Sequence, residues 1–119
     1  MVIQLCSLLS RGFDAHPTDF CLIPMGTAEP SVAEYIAECV RVLEKTGLTF
    51  KMHGYGTNLE GPWTQVMQAI HDCHAAVHAK GAPRIATDIR IGTRVDRDIL
   101  PGTGNTSKVI RVEEILKQG

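Results

Sequence analysis

Polar residues that could contact a ligand are concentrated in one segment, HGYGTNLEGPW, at residues 53–63. Thr57 supplies a hydroxyl group and Glu60 supplies a carboxylate. Tyr55 and Trp63 add aromatic surface beside them. A few polar groups next to apolar walls are what a small-molecule pocket requires. Two simpler explanations stay open: the glycines also suit a hairpin turn, and Glu60 also suits the positive end of a following helix.

Other kinds of chemistry have little support in the sequence. His71, His74 and His78 lie on one flank of a predicted helix, but no further ligand for a metal ion is evident, and we predict no metal site. There is no G-x-S-x-G elbow and no Cys/His signature of nucleophilic catalysis. The glycine-rich segment lacks the lysine of a phosphate-binding loop. We therefore predict no catalytic residues, no enzyme activity and no cofactor.

The composition is that of one ordinary globular domain of 119 residues, with 44% hydrophobic and 21% charged residues. A net charge of -1 gives no bulk attraction to nucleic acid or to anionic membranes. No apolar run approaches the roughly 20 residues needed to span a bilayer, and the N-terminus has no clear secretory signal. We expect a cytoplasmic protein with no nucleic-acid or membrane partner.

The four cysteines are widely separated and form no C-x-x-C pair. This spacing supports neither a disulfide framework nor a metal site. Cys39 and Cys73 fall on the apolar faces of predicted helices. We interpret them as buried free thiols that pack as small hydrophobic side chains.

The clearest local pattern is a helix that follows the first predicted strand. Ser31 and Glu34 have the spacing of a capping box, in which each side chain bonds the backbone N–H of the other residue. Apolar residues recur at helical spacing between 32 and 43. Gly47 supplies a left-handed stop.

The remaining segments complete an alternation of strands and helices. The predicted strands are residues 19–25, 48–55, 57–61 and 84–96, and the predicted helices are residues 31–46, 62–80 and 107–119. With right-handed crossovers, this order predicts an α+β fold: a ferredoxin-like βαββαβ sandwich with a short extra C-terminal helix. We expect an N-terminal extension at residues 1–18 and a single domain at residues 19–119. Two helices cover only one face of such a sheet, and isoleucine and valine occupy much of it, so we predict self-association through the sheet.

Three segments, taken in order, resemble a known family. They are DFCLIPMGT, PSVAEYIAECVRVLEKTGL and KMHGYGTNLEGPWTQVMQAIHDCHAAVHAKGAPRIATDIRIGTRVD. Together they are similar to the thiamine-binding protein family, long catalogued as uncharacterised, and GTNLEGPW and TDIRIGTR look most like its fungal members. The resemblance runs from about Asp19 to Asp96. It implies a small ferredoxin-like domain that binds thiamine or its hydroxymethylpyrimidine part and forms a homotetramer, a dimer of dimers, with no established catalytic chemistry.

The resemblance also implies where a ligand would bind. The family's T-x-x-E-G pattern falls on Thr57, Glu60 and Gly61, its P-x-G pattern on Pro24 and Gly26, and its helix-start serine on Ser31. Where many members carry an I-D-D-R ending, this chain has IGTR at residues 91–94, without the acidic residues. The aromatic side chains of Tyr35, Tyr55 and Trp63 could stack on a ring of the ligand. The predicted ligand-binding residues are therefore Pro24, Gly26, Ser31, Tyr35, Tyr55, Thr57, Glu60 and Trp63.

These observations predict a non-catalytic binding protein for thiamine or hydroxymethylpyrimidine that acts as a carrier, buffer or sensor. A different class of function is a structural or regulatory homo-oligomer whose assembly is itself the function. An enzyme acting on a thiamine precursor comes third, because the sequence offers no obvious acid–base pair.

Overall fold

The computed structural model describes residues 14–119, with side chains from Pro17 onward. Most of the predicted N-terminal extension, residues 1–18, lies outside this range. The described elements, in chain order, are β1 (Asp14–Met25), α1 (Ala33–Glu44), β2 (Thr49–His53), β3 (Gly56–Pro62), α2 (Trp63–Ala79), β4 (Arg84–Gly92) and α3 (Gly104–Gln118).

The four described strands form one antiparallel sheet in the order β2-β3-β1-β4. Helices α1 and α2 pack together over one face of this sheet. The arrangement confirms the predicted ferredoxin-like βαββαβ fold and its C-terminal helix. That helix begins at Gly104, three residues before the predicted start, and the last strand ends at Gly92, four residues before its predicted end.

The hydrophobic core lies between the sheet and the two packed helices. Leu43 of α1, Leu59 of β3, and Val66 and Val77 of α2 are completely buried there. Burying an aliphatic side chain of this size stabilises a fold by roughly 1.5–3 kcal/mol. Trp63 lies outside this core, at the first residue of α2, with 38% of its surface exposed.

Strand β1 begins five residues earlier than the sequence predicts, at Asp14 rather than Asp19. Pro17 lies inside it, although proline cannot donate a hydrogen bond to a neighbouring strand. The pairing shifts register around this position on both sides of β1, between Ala15 and Thr18 against β3 and between His16 and Asp19 against β4. A bulge thus admits the proline to a central strand.

The capping box predicted at the start of α1 is not formed. The helix begins at Ala33, with Val32 at the N-cap position, so Ser31 lies one residue too early to cap it. The Ser31 hydroxyl oxygen accepts a hydrogen bond from the Ala33 N–H at 3.3 Å, while Glu34 lies near Lys80 of the chain beyond α2. At the other end, Gly47 has the predicted left-handed backbone, with φ at 76°.

The sheet face turned away from α1 and α2, here called the open face, is mostly polar. Its side chains come from Asp19, Cys21, Ile23, Met25, Thr49, Lys51, His53, Asn58, Glu60, Arg84, Ala86, Asp88 and Arg90. Three of the four isoleucines in the described strands, Ile85, Ile89 and Ile91, lie on the helix side instead. The isoleucine content of the sheet therefore does not argue for self-association through the open face.

Candidate ligand-binding site

A notch interrupts the sheet where the β2–β3 hairpin ends. The pairing of β3 with β1 runs only as far as Thr57 opposite Phe20. Strand β1 continues beside β4 to Met25, opposite Arg84. Residues 21–25 thus have a described strand partner on one side only, and the backbone edge on the other side is open.

A cavity of about 230 Å³ occupies this notch and extends beneath α1. Its lining residues are Phe20, Cys21, Leu22, Ile23, Pro24, Val32, Ile36, Cys39, His53, Gly54, Tyr55, Gly56 and Thr57. Most of these present apolar surface, and Thr57 places a hydroxyl group among them. Pockets for drug-sized molecules are usually larger, about 300–1,000 Å³. The cavity therefore suits a ligand about the size of one substituted aromatic ring.

His53 fixes the turn that forms the rim of the cavity. Its Nδ1 accepts a hydrogen bond from the Tyr55 N–H at 3.2 Å, and its Nε2 lies 2.6 Å from Asp19 Oδ1. Because Nδ1 is an acceptor, the neutral ring carries its proton on Nε2 and donates it to the carboxylate. Both ring nitrogens are engaged, so His53 holds the hairpin end against β1.

Gly56 permits this close approach of the hairpin to β1. A Cβ atom at this position would lie 2.6 Å from the backbone oxygen of Phe20 and 3.4 Å from Cε1 of His53. Only glycine leaves room for the Phe20 carbonyl group. The rim of the cavity thus depends on a residue without a side chain.

The cavity brings together three of the eight predicted ligand-binding residues: Pro24, Tyr55 and Thr57. The other five, Gly26, Ser31, Tyr35, Glu60 and Trp63, are not among its lining residues, and their ligand contacts stay predictions. Tyr35 packs against the hydrophobic core.

Sequence reasoning did not identify the α1 wall of the cavity, which consists of Val32, Ile36 and Cys39. The helical periodicity assigned these residues to the core stripe. Nothing in that pattern distinguishes a residue that faces a cavity from one that faces packed neighbours. His53 was in the segment already noted as ligand-like, but its role at the rim depends on contact with Asp19, 34 residues away in sequence.

Glu60 lies on the open face, where it holds the start of α3. Its side chain is only 5% exposed. Its Oε1 accepts a hydrogen bond from the Asn105 N–H at 3.1 Å, and Gly104 packs closely against the same oxygen. The neighbouring Asn58 donates from Nδ2 to Asn105 Oδ1 at 3.5 Å. The carboxylate therefore caps a helix from a different element, where the free N–H groups and the helix dipole favour a negative charge.

Two of the three histidines of α2 contact groups outside the helix, while the exposed His71 lies 3.1 Å from the adjacent Asp72 carboxylate. His74 Nε2 lies 2.6 Å from the Thr87 hydroxyl oxygen, and His78 Nδ1 lies 2.8 Å from the Ala82 carbonyl oxygen. Burial, followed by the charges of His78 and His71, lowers the pKa of His74. Among residues 14–119, no group of three or more histidine, cysteine or acidic side chains could hold a metal ion.

The corner after β4 contains a local ion pair. Arg94 donates from Nε to Asp96 Oδ1 at 2.6 Å and also bonds the other carboxylate oxygen. These bonds lower the pKa of the exposed Asp96 to about 2. The arginine in the IGTR segment is thus already paired within its own loop.

The fold and its notch define a small ferredoxin-like domain with a ring-sized cavity at one end of the sheet. The chain belongs to the thiamine-binding protein family, whose model matches residues 18–113. The resemblance predicted from the sequence is therefore confirmed.

Two relatives illustrate this membership. A UPF0045 protein from the cyanobacterium Synechocystis is 52% identical over 79 residues, which are 66% of this chain and 64% of that protein. A UPF0045 protein from the fungus Eremothecium gossypii is 40% identical over 79 residues, which are 66% of this chain and 75% of that protein. The present chain thus spans somewhat less than two thirds of the cyanobacterial relative.

Solved structures share the fold. A hypothetical protein from Methanocaldococcus jannascii superposes with a TM-score of 0.68 at 24% identity, covering 82% of this chain and 95% of that one. A Thermotoga maritima protein described as a putative thiamine biosynthesis/salvage protein gives a TM-score of 0.65 at 14% identity, covering 81% of this chain and 98% of that one.

No helix among the described residues is long and apolar enough to cross a membrane.

Proposed function

We propose that this protein binds thiamine or its hydroxymethylpyrimidine part in the cavity beside β1, without catalysing a reaction, as a carrier, buffer or sensor. The observation that carries the proposal is the ring-sized notch, where an open backbone edge meets apolar walls and a buried hydroxyl group. Membership in the thiamine-binding protein family supports the class of ligand.

The chemistry of the notch suits the pyrimidine part of such a ligand. An aminopyrimidine has hydrogen-bond donors and acceptors around a flat ring. The open edge of β1 between Cys21 and Met25 offers backbone groups in the plane of the sheet, and Thr57 adds a hydroxyl group from the side. Leaving such buried polar groups unpaired costs roughly 1–3 kcal/mol each, so the cavity should favour a ligand that pairs them.

The charged part of thiamine would lie at the rim. No carboxylate is among the lining residues, but Asp19 lies beside the rim through its bond to His53. A positively charged ring extending from the notch would meet this carboxylate and solvent. We therefore expect hydroxymethylpyrimidine to fill the cavity and the thiazolium of thiamine to remain largely outside it.

Titration calorimetry of the purified chain with thiamine and with hydroxymethylpyrimidine tests the proposal. Thr57→Val keeps the shape of the side chain and removes its hydroxyl group, so we expect about tenfold weaker binding, equivalent to one lost hydrogen bond of about 1.4 kcal/mol. Thr49→Val makes the same change at an exposed position of the open face and serves as the matched control. No heat with either compound at sub-millimolar concentration would refute the proposal.

A second candidate function is assembly, and α3 favours it. Val109, Val112 and Leu116 lie on the face that begins with Asn105, at alternating spacings of four, three and four residues, the seam pattern of paired helices. They are 47%, 57% and 72% exposed, so that their exposure increases toward the C-terminal end of α3. Such a stripe supports self-association, and we propose a homotetramer built as a dimer of dimers.

The two candidates differ in which variant loses function. Val112→Glu should lower the oligomer size measured by light scattering, with Glu114→Gln on the exposed opposite side of α3 as the control. If assembly is the function, Thr57→Val should behave like the wild type in cells, whereas Val112→Glu should not. A strictly monomeric wild type would exclude the assembly function.

A further inference from the structure

Two cysteines, Cys39 of α1 and Cys73 of α2, are in contact where the two helices pack behind the wall of the cavity. Cys39 and Cys73 are 3% and 0% exposed. The Cys73 thiol donates a weak hydrogen bond to the backbone oxygen of Cys39, with 3.8 Å between Sγ and the oxygen. This contact places the Cys73 sulfur beside the residue to which it would bond, and a disulfide requires the two sulfur atoms to approach to about 2.05 Å.

The pair is connected to the outside through the cavity. Cys39 is one of the lining residues, whereas Cys73 lies behind it in the core. A small neutral oxidant that enters the notch therefore meets Cys39 first. Cys21 also lines the notch, but it lies on β1 and none of the described hydrogen bonds joins it to another thiol.

The two thiols also differ chemically. The neighbouring Cys73 thiol lowers the pKa of Cys39, while the Cys39 thiol and burial raise the pKa of Cys73. The thiolate is the form that reacts with an oxidant. Because Cys39 also lines the cavity that an oxidant would enter, the initial attack is assigned to Cys39 and the second step to Cys73.

We propose that Cys39 and Cys73 form an oxidation site in which a peroxide reacts with Cys39 and Cys73 then closes an intramolecular disulfide. In the first step, the Cys39 sulfur attacks one peroxide oxygen, the O–O bond breaks, and Cys39 becomes a sulfenic acid as water leaves with the thiol proton. In the second step, the Cys73 sulfur attacks the Cys39 sulfur, the S–O bond breaks, and a second water leaves. Two thiols are oxidised by two electrons and one hydrogen peroxide is reduced to two waters.

The disulfide would cross-link α1 to α2 and change the wall of the cavity. If the proposed binding function is correct, an occupied cavity blocks access to Cys39, so ligand should slow the oxidation. This consequence rests on the proposed function. The oxidation itself does not, because it is measured without ligand.

The test is to treat the full-length folded protein with hydrogen peroxide, block free thiols, and analyse non-reduced digests by mass spectrometry. Cleavage at glutamate separates Cys21 from Cys39, because Glu29, Glu34 and Glu38 lie between them. We expect a cross-link between the peptides of Cys39 and Cys73, two thiols lost per chain and reversal by dithiothreitol. Oxidation of Cys21 with Cys39 and Cys73 still free would overturn the proposal.

Single substitutions separate the two roles. In Cys73→Ser, Cys39 should accumulate as a sulfenic acid that a dimedone probe captures, whereas in Cys39→Ser the Cys73 thiol should stay unreacted. Cys21→Ser should cross-link like the wild type. A cross-link that forms at a rate proportional to the unfolded fraction in urea would show a reaction of the unfolded chain and would also overturn the proposal. Adding thiamine or hydroxymethylpyrimidine then tests protection separately.

Discussion

Replacing Glu60 by alanine should detach the start of α3 from the sheet while leaving the core intact. The substitution removes a charged acceptor from the Asn105 N–H, worth roughly 1.5–3 kcal/mol, and a favourable charge at the helix N-terminus, worth roughly 0.3–1 kcal/mol. Relief of the desolvation of a buried carboxylate offsets part of this. We expect a net loss of about 2 kcal/mol for Glu60→Ala and about 1 kcal/mol for Glu60→Gln, which keeps a neutral acceptor.

The loss should be local because α3 has little else to hold it. Most of its side chains are exposed, and a helix of 15 residues is marginal in water without tertiary support. Hydrogen exchange read by mass spectrometry measures this directly. A loss of 2 kcal/mol should speed exchange of the protected α3 amides about thirtyfold, while the amides of α2 should keep their protection.

Glu114→Ala is the matched control, since it removes an exposed carboxylate from the same helix. Exchange of α3 should then stay close to that of the wild type. The reasoning is refuted if Glu60→Ala leaves α3 exchange unchanged. It is also refuted if α2 loses protection to the same degree, because Glu60 would then support the whole domain. The ligand affinity of Glu60→Gln tests in addition whether Glu60 belongs to the binding site. We expect unchanged affinity if the ligand occupies the notch.

Three further perturbations have defined outcomes. Leu43→Ala should lower the free energy of unfolding in urea by about 2–5 kcal/mol, whereas Leu100→Ala, at an exposed loop position outside the α3 stripe, should change it by less than about 0.5 kcal/mol. Gly56→Ala should cost roughly 1–3 kcal/mol and weaken ligand binding, because its Cβ would press on the Phe20 carbonyl at the rim. The pKa of His74 is lowered in the folded chain, so the unfolded chain binds a proton first as pH falls through about 6.5. The Tm of the wild type should therefore decrease as pH falls through this range, and the decrease should be smaller in His74→Gln. A Tm profile that rises on acidification would contradict this.

Much of the fold could be predicted from the sequence because its signals are local. The apolar periodicity of α1 and the left-handed Gly47 depend on neighbouring residues only. The predictions were wrong where the local structure depends on contacts that the sequence pattern does not show. Pro17 resembles a strand breaker unless the bulge against both neighbouring strands is known. The capping box at Ser31 is not formed because Val32, one residue later, is at the N-cap position of α1.

The candidate site was harder to predict because it is a gap in the sheet, at the point where one strand has no neighbour on one side. Nothing in the sequence says that the pairing of β3 with β1 ends at Thr57 and Phe20, and this end creates the notch. One feature of the site could have been predicted from the sequence. Thr57 and Glu60 are three residues apart on one strand, so the alternation of side chains must send them to opposite faces.

The open edge of β1 has a consequence for solubility. A strand with free backbone groups on one side can pair with a strand of another molecule and start an aggregate. Pro24 lies within this edge and lacks the N–H that an incoming strand would need to accept. The opening is therefore accessible to a compact ring but poorly suited to an extended chain. We expect Pro24→Val to restore the missing donor and to make the protein precipitate more readily at high concentration.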